Sequence, residues 1–133
     1  MGNLKLIAQQ MVARGKGILA ADESTPTCTK RFTAHQIEST EASRNEYRSK
    51  LLSAKGLENF ISGVILFDET FHQNLQGTNI TIPQYLKDKN ILTGIKVDTG
   101  AKMLANHNNE KITEGLDGLR NRLKLYKEKG ADF

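Results

Sequence analysis

The chain has 133 residues, 38% of them hydrophobic and 26% charged, a composition typical of one soluble globular domain and not of a disordered segment. The net charge of +4 is spread along the chain without the basic block or interleaved aromatic residues of a nucleic-acid-binding protein, which leaves a modest attraction for small anions. No apolar run approaches the ~20 residues of a membrane span, no signal-peptide core is visible, and Cys28 has no second cysteine for a disulfide, so we expect a cytoplasmic protein without membrane or nucleic-acid partners.

The first predicted elements are an opening helix and a strand. Leu4, Ile7 and Met11 recur at helical spacing, and Gly15 ends this segment. A short apolar run follows, in a strand from Gly17 to Asp22, and we expect this strand to be buried on both faces. Charged and polar residues begin where the strand ends.

Those polar residues form the first candidate site. Ligands of α/β proteins bind outside the carboxyl ends of parallel strands, which places Asp22 at a site. The alternative is that Asp22 only turns the chain or caps a helix. Lys30 and Arg31 share a predicted loop with Ser24 and Thr27 and can reach a phosphate, although such a basic pair also occurs as a solvated surface feature.

The middle of the chain repeats the alternation of helix and strand. A helix is predicted over Ala42 to Ala54 with Thr40 as its N-cap, and a shorter helix begins at Pro83. Strands are predicted over Ile61 to Asp68 and Thr93 to Asp98, and each of the three predicted strands ends in an aspartate.

A last helix is predicted from about Gly115 to Lys129, with Gly130 as its C-cap. Its apolar face carries Leu116, Leu119, Leu123 and Tyr126. The tail from Gly130 to Phe133 resembles the approach to a fourth strand. This order predicts an α/β fold of parallel strands with crossover helices, either a doubly wound sheet or a (β/α) barrel.

Lys96 is the second candidate site residue. Strand alternation puts Ile95 and Val97 on one face and Lys96 and Asp98 on the other. In a barrel the second pair faces the interior, where an unpaired lysine is costly and needs a carboxylate or a ligand anion. Alternate barrel strands share a layer, so Asp22 and Lys96 are expected to be neighbours. The alternative is an exposed lysine on an edge strand.

Several short motifs that could indicate a nucleotide or metal site lack the sequence context that such a site requires. The run from Gly15 to Ala20 matches G-x-G-x-x-A but precedes a strand, whereas a dinucleotide-binding loop follows one. No G-x-x-x-x-G-K-[ST] loop is present. His35, His72 and His107 lack the spacing of metal ligands and are expected on the surface or in loops. The sequence therefore predicts no metal site.

Four blocks in order, covering about Gly15 to Phe133, resemble the class I fructose-bisphosphate aldolase family: GKGILAADEST with KRF, ISGVILFDET, GIKVDTG and EGLDGLRNRLKLYKEKGADF. The resemblance implies a (β/α)₈ TIM barrel, of which residues 1–133 are the incomplete N-terminal part of a single domain, about the first three βα units. It also implies a glycolytic lyase that reversibly cleaves fructose 1,6-bisphosphate to dihydroxyacetone phosphate and glyceraldehyde 3-phosphate. The reaction runs through a lysine Schiff base without metal or cofactor, in a protein whose full-length form is a homotetramer.

The resemblance also implies roles for the candidate residues. Asp22 corresponds to the family's active-site aspartate, which contacts the hydroxyls near the scissile bond, and Lys96 matches the active-site lysine of the third strand. The region around a substrate phosphate corresponds to Ser24, Thr27, Lys30 and Arg31, with Arg31 the best matched.

The chain also departs from the family pattern. Pro26 replaces a usual glycine and stiffens the loop, and Thr99 replaces a common lysine. The family's Schiff-base lysine and adjacent glutamates lie on later strands, beyond Phe133, so Lys96 is not assigned as the imine-forming nucleophile and the chain alone is expected to be inactive. The alternative is a naturally truncated, non-catalytic half-barrel that binds a partner, either a second copy or a complete aldolase.

Overall fold

The computed structural model describes residues 4–133, and three parallel strands form its main sheet in the order β1-β2-β3. They are β1 (Gly17–Ala21), β2 (Ile61–Leu66) and β3 (Leu92–Ile95). The register pairs Ala21 with Leu66 and Leu66 with Ile95, so the three carboxyl ends lie level at one edge. The parallel α/β arrangement predicted from the sequence is confirmed.

Helices connect the strands and precede the first of them. They are α1 (Leu4–Met11), α2 (Thr25–Ala34), α3 (Glu41–Leu52), a 3₁₀ turn (Leu57–Asn59), α4 (Asp68–Phe71), α5 (Ile82–Asp88) and α6 (Leu119–Glu128). The predicted cap of α3 is confirmed, because the Thr40 side chain accepts from the Ser43 N–H at 3.1 Å and the Ser43 hydroxyl accepts from the Thr40 N–H. No helix within residues 4–133 is long and apolar enough to cross a membrane.

The expectation that the first strand is buried on both faces is wrong. β1 lies at the edge of the sheet and pairs with β2, and Ile18 is 40% exposed, whereas Ala21 is buried. The core instead surrounds β2, where Val64 and Leu66 are fully buried against the helices. An apolar run of five residues does not distinguish an edge strand from a central one, because both carry the same side chains.

A helix replaces the loop predicted after the first strand. α2 begins at Thr25 and includes both Lys30 and Arg31. Pro26 lies at the start of this helix, where its fixed φ is compatible with helical geometry and its missing N–H has no partner to lose. The residue that was expected to stiffen a loop therefore lies in the first turn of a helix.

A β-hairpin that the sequence pattern did not indicate separates β3 from α6. Its strands are β4 (Gly100–Met103) and β5 (Lys111–Glu114), paired antiparallel. The turn uses Asn106 and Asn109 at positive φ, which asparagine tolerates better than most residues. The predicted last helix starts at Leu119 and not at Gly115, because Gly118 takes the left-handed conformation at φ 64°.

The chain after α6 approaches the sheet beside β3, as the sequence predicts. The Asp132 N–H donates to the Thr93 carbonyl at 2.7 Å, and the Ile95 N–H donates to the Phe133 carbonyl at 3.0 Å. The Asp132 carboxylate in turn accepts from the Thr93 N–H at 3.0 Å. β3 is thus bonded on both sides within the described residues.

The Phe133 ring lies over two glycines on neighbouring strands. A Cβ built on Gly94 would come within 2.6 Å of this ring, and one built on Gly63 within 3.0 Å. Any side chain at Gly94 therefore displaces the ring. The two glycines provide the space in which the aromatic side chain covers the sheet.

Candidate active site

A cavity of about 1200 Å³ opens at the level carboxyl ends of the three strands. Its lining includes four of the candidate residues, Asp22, Ser24, Thr27 and Lys96. The hairpin and α6 supply the opposite wall. The remaining two candidates, Lys30 and Arg31, are exposed on α2 and do not contribute to the lining.

Asp22 and Lys96 each follow the last residue of a strand. Asp22 is half-buried after β1. Lys96 extends the pairing of β3, because its backbone N–H donates to the Leu66 carbonyl at 2.9 Å. Both side chains line the same cavity, although the carboxylate that pairs with Lys96 belongs to Asp98.

The ion pair between Lys96 and Asp98 is partly accessible, with side chains 25% and 32% exposed. The hydrogen bond from Lys96 lowers the pKa of Asp98, burial opposes that shift, and the Gly100 N–H, which donates to the carboxylate at 3.0 Å, lowers the pKa further. Asp98 is therefore an anion at neutral pH. It is the carboxylate partner that Lys96 was expected to need.

The first turn of α2 supplies hydroxyl groups to the cavity. The Ser24 and Thr27 side-chain oxygens lie 3.1 Å apart and are hydrogen-bonded to each other. Ser24 is the N-cap residue of α2, yet its side chain makes no capping bond to the backbone. Both hydroxyls are thus available to rotate toward a polar group in the cavity.

Arg31 is paired with Glu23 and is not among the residues that line the cavity. The Arg31 guanidinium donates to the Glu23 carboxylate, with the arginine side chain 57% exposed and the glutamate 16% exposed. Burial acts to raise the pKa of Glu23, but its backbone hydrogen bond and the charges of Arg48 and Arg31 outweigh that effect and the pKa is lowered overall. Glu23 is thus held between two arginines.

Arg48 is the residue at this site that sequence reasoning missed. It is 1% exposed on α3, and its Nε donates to the Ala21 carbonyl at 2.8 Å. Its Nη2 donates to the Glu23 carbonyl at 2.9 Å and to the Glu23 carboxylate at 2.8 Å. The available signal was weak: Arg48 lies four residues before Leu52, on the face of the helix that is buried.

A second group of polar side chains lines the wall formed by α4 and α6. The Tyr126 hydroxyl donates to the Asp68 carboxylate at 2.7 Å, and Arg122 donates to the Val97 carbonyl at 2.9 Å. Burial and the neighbouring Asp68 both raise the pKa of Tyr126. His72 lies 3.4 Å from Asp68 at the end of α4, and among residues 4–133 no cluster of three metal-ligating side chains is present.

Comparisons with known proteins agree on one family. The family model described as fructose-bisphosphate aldolase class-I matches residues 3–133. A Xanthomonas campestris protein named "Probable fructose-bisphosphate aldolase class 1" is 52% identical over 126 residues, which is 95% of this chain and 37% of the relative. Fructose-bisphosphate aldolase C-B of Danio rerio is 51% identical over 132 residues, covering 98% and 36%.

A solved structure gives the same result in three dimensions. Fructose-bisphosphate aldolase of Plasmodium falciparum, crystallised with TRAP and a small-molecule inhibitor, superposes with a TM-score of 0.92 at 47% sequence identity. The match covers 98% of this chain and 37% of the solved one. The chain therefore spans little more than a third of the length of the relatives it matches.

Proposed function

Because this chain belongs to the class I fructose-bisphosphate aldolase family, we propose that residues 1–133 are the N-terminal part of a single aldolase barrel and form about the first three βα units of a (β/α)₈ fold. The strand order β1-β2-β3 with level carboxyl ends supports this proposal, because barrel strands are parallel and sequential. The backbone of Asp132 and Phe133 beside β3 is where a fourth strand would begin.

The proposed reaction is the reversible cleavage of fructose 1,6-bisphosphate into dihydroxyacetone phosphate and glyceraldehyde 3-phosphate, carried out in the cytoplasm by a longer, tetrameric protein. One observation carries this proposal: in a chain with aldolase sequence, the ends of β1 and β3 bring Asp22 and Lys96 to one cavity. Barrel enzymes bind their substrates at this edge of the sheet.

The roles follow from the chemistry of retro-aldol cleavage. The reaction needs a group near the C4 hydroxyl and an electron sink at C2. We assign Asp22 to the hydroxyls near the scissile bond and Lys96 to the charge of the bound substrate. Ser24 and Thr27 can donate hydroxyl hydrogen bonds to a phosphate, and the two phosphates supply binding energy remote from the reacting bond. Lys30 and Arg31 can reach that phosphate only from the rim of the cavity.

The 133 residues alone are proposed to bind sugar phosphate without cleaving it. An imine forms from a free amine, and the Lys96 side chain instead donates a hydrogen bond to the Asp98 carboxylate. The family resemblance assigns the Schiff-base lysine to a later strand. This chain therefore supplies one wall of the substrate site.

A non-catalytic interaction protein is the second candidate. The observation that favours it is the unpaired outer edge of β1 within residues 4–133, with Ile18 40% exposed. Such an edge pairs readily with another strand. The partner would be a second copy of the chain or a complete aldolase.

The test combines binding with chemical trapping on the 133-residue chain. We expect saturable heat of binding with fructose 1,6-bisphosphate, a weaker signal for Asp22→Asn, and no change for Lys50→Ala on the exposed face of α3. Sodium borohydride, which reduces imines, should leave no substrate adduct detectable by mass spectrometry. An adduct on Lys96 would overturn the assigned role, and a folded chain that self-associates but binds no sugar phosphate would favour the second candidate.

A further inference from the structure

Arg48 donates hydrogen bonds to the backbone carbonyls of Ala21 and Glu23, the residues on either side of Asp22. We propose that Arg48 is a positioning residue, which orients the Asp22 carboxylate toward the substrate by fixing the backbone at the end of β1. This inference rests on the proposed role of Asp22 in binding sugar phosphate. Arg48 itself does not line the cavity and acts through the backbone.

The geometry of the contacts supports this role. The Ala21 carbonyl accepts from Nε of Arg48 at 2.8 Å, and the Glu23 carbonyl accepts from Nη2 at 2.9 Å. These carbonyls belong to the residues immediately before and after Asp22. One guanidinium group therefore bonds the peptide before Asp22 and the peptide after Glu23, and so constrains the two-residue segment that carries the Asp22 side chain.

The guanidinium is itself held rigidly. Nη1 of Arg48 donates to the Cys28 sulfur at 3.2 Å, and the central guanidinium carbon, Cζ, lies 5.0 Å from the centre of the Tyr47 ring. The Glu23 carboxylate accepts a fourth bond at 2.8 Å. A planar fork with several donors in fixed directions can make these bonds together, whereas a lysine ammonium cannot match the same directions.

Stability alone does not explain a buried arginine at this place. Burying a charge is costly, and buried ion pairs can often be replaced by apolar side chains without loss of stability. Bonds directed at the carbonyls of Ala21 and Glu23, two residues apart, instead select one conformation of the backbone between them. Arg44, one turn earlier on α3, provides the contrast, because its bonds go to Glu69 and Ser39 and to none of residues 21–24.

The test compares Arg48→Lys and Arg48→Met with the matched control Arg44→Lys, all in the 133-residue chain. Circular dichroism establishes that each variant is folded. Calorimetry then measures the dissociation constant for fructose 1,6-bisphosphate, and carbon-13 NMR measures the Asp22 carboxyl and backbone signals without ligand. We expect binding about tenfold weaker or more in both Arg48 variants, the effect of one lost charge-assisted hydrogen bond, with shifted Asp22 signals. Arg44→Lys should leave affinity and Asp22 signals unchanged.

Two outcomes would overturn the proposal: Asp22 signals unchanged in a folded Arg48 variant, or equal losses of affinity in the Arg48 and Arg44 variants. A measurement on the unmodified chain covers the case in which the Arg48 variants do not fold. There the Arg48 Nε–H should exchange slowly with solvent and should shift when fructose 1,6-bisphosphate binds. Rapid exchange, or binding of the sugar phosphate without a shift of this signal, contradicts the positioning role.

Failure of the proposed function gives a different result. If the unmodified chain does not bind fructose 1,6-bisphosphate, the function is wrong, while the Asp22 signals without ligand still report whether Arg48 orients this residue. If the unmodified chain binds and only the Asp22 signals are unaffected by Arg48 substitution, the positioning inference alone fails.

Discussion

The ends of β1 and β3 carry the two charged candidates, but different interactions hold them. At the end of β1, the carbonyls of Ala21 and Glu23 accept hydrogen bonds from Arg48, a side chain of α3. At the end of β3, the backbone N–H of Lys96 is bonded to the Leu66 carbonyl of the neighbouring strand. The end of β1 therefore depends on bonds from a helix side chain, whereas the end of β3 depends on a backbone bond from β2.

This difference separates two kinds of sensitivity to mutation. The end of β1 depends on the chemistry of one residue, because no other side chain presents the same fork of donors. The end of β3 depends on space, because Gly63 and Gly94 leave room for the Phe133 ring. Substitutions can therefore disturb either end separately.

The largest expected effect comes from removing the guanidinium at β1. Arg48→Ala should lower the free energy of unfolding by about 3–5 kcal/mol, because it strips the Ala21 carbonyl and the Glu23 carboxylate of a buried donor. Urea unfolding followed by circular dichroism measures the change. If the free energy of unfolding falls by less than about 1 kcal/mol, water has replaced the guanidinium as the donor. The end of β1 then does not depend on Arg48.

The next effect concerns space at β3. Gly94→Ala should cost about 1–3 kcal/mol, because the new methyl group would lie 2.6 Å from the Phe133 ring and force it to move. Gly17→Ala in β1 is the control, since nothing lies within 4 Å of its Cβ position. Equal unfolding midpoints for the two variants would contradict the crowding at β3.

A smaller effect is expected from the charge on Glu23. Its pKa in the folded chain is below the ordinary 4.5, so its contribution to stability is present above that value and is lost as the pH falls through the folded pKa. Glu23→Gln should cost about 1 kcal/mol at pH 7 and flatten the loss of stability between neutral and acidic pH. Thermal unfolding of both proteins at several pH values tests this, and parallel curves would contradict it.

The smallest effect is expected on the exposed face of α3. Lys50 pairs with Glu46 one turn earlier, with side chains 75% and 45% exposed. Because solvent screens such a pair, Lys50→Ala should produce no measurable change in urea unfolding at physiological salt. A clear destabilisation would show that exposed charge contributes to α3 and would weaken the contrast with buried Arg48.

Local sequence patterns predicted much of the fold. Thr40 caps α3 as expected, because the capping bonds join residues only three positions apart. The three strands are where apolar runs predicted them, but none ends in the predicted aspartate: they end at Ala21, Leu66 and Ile95, and Asp68 begins α4. The hairpin was missed because its strands, such as Lys111–Glu114, are exposed and lack an apolar face that would mark them.

The candidate site was harder to predict where contacts span long distances along the chain. Asp22 and Lys96 share a cavity, as strand-end reasoning expects. The role of Arg48 was not predictable, because its partners are backbone carbonyls more than 20 residues away, and carbonyls carry no sequence signal. The loop prediction for Lys30 and Arg31 failed because the apolar periodicity of α2 is weak.

Cys28 gives the arginine cluster a kinetic consequence. It is the only cysteine in the chain and is 1% exposed beneath the Arg48 guanidinium. A thiol reagent can therefore reach it only during moments when α2 separates from α3. The labelling rate, compared with that of the denatured chain, reports how often the end of β1 opens, and Cys28 is thus a built-in probe of motion beside the cavity.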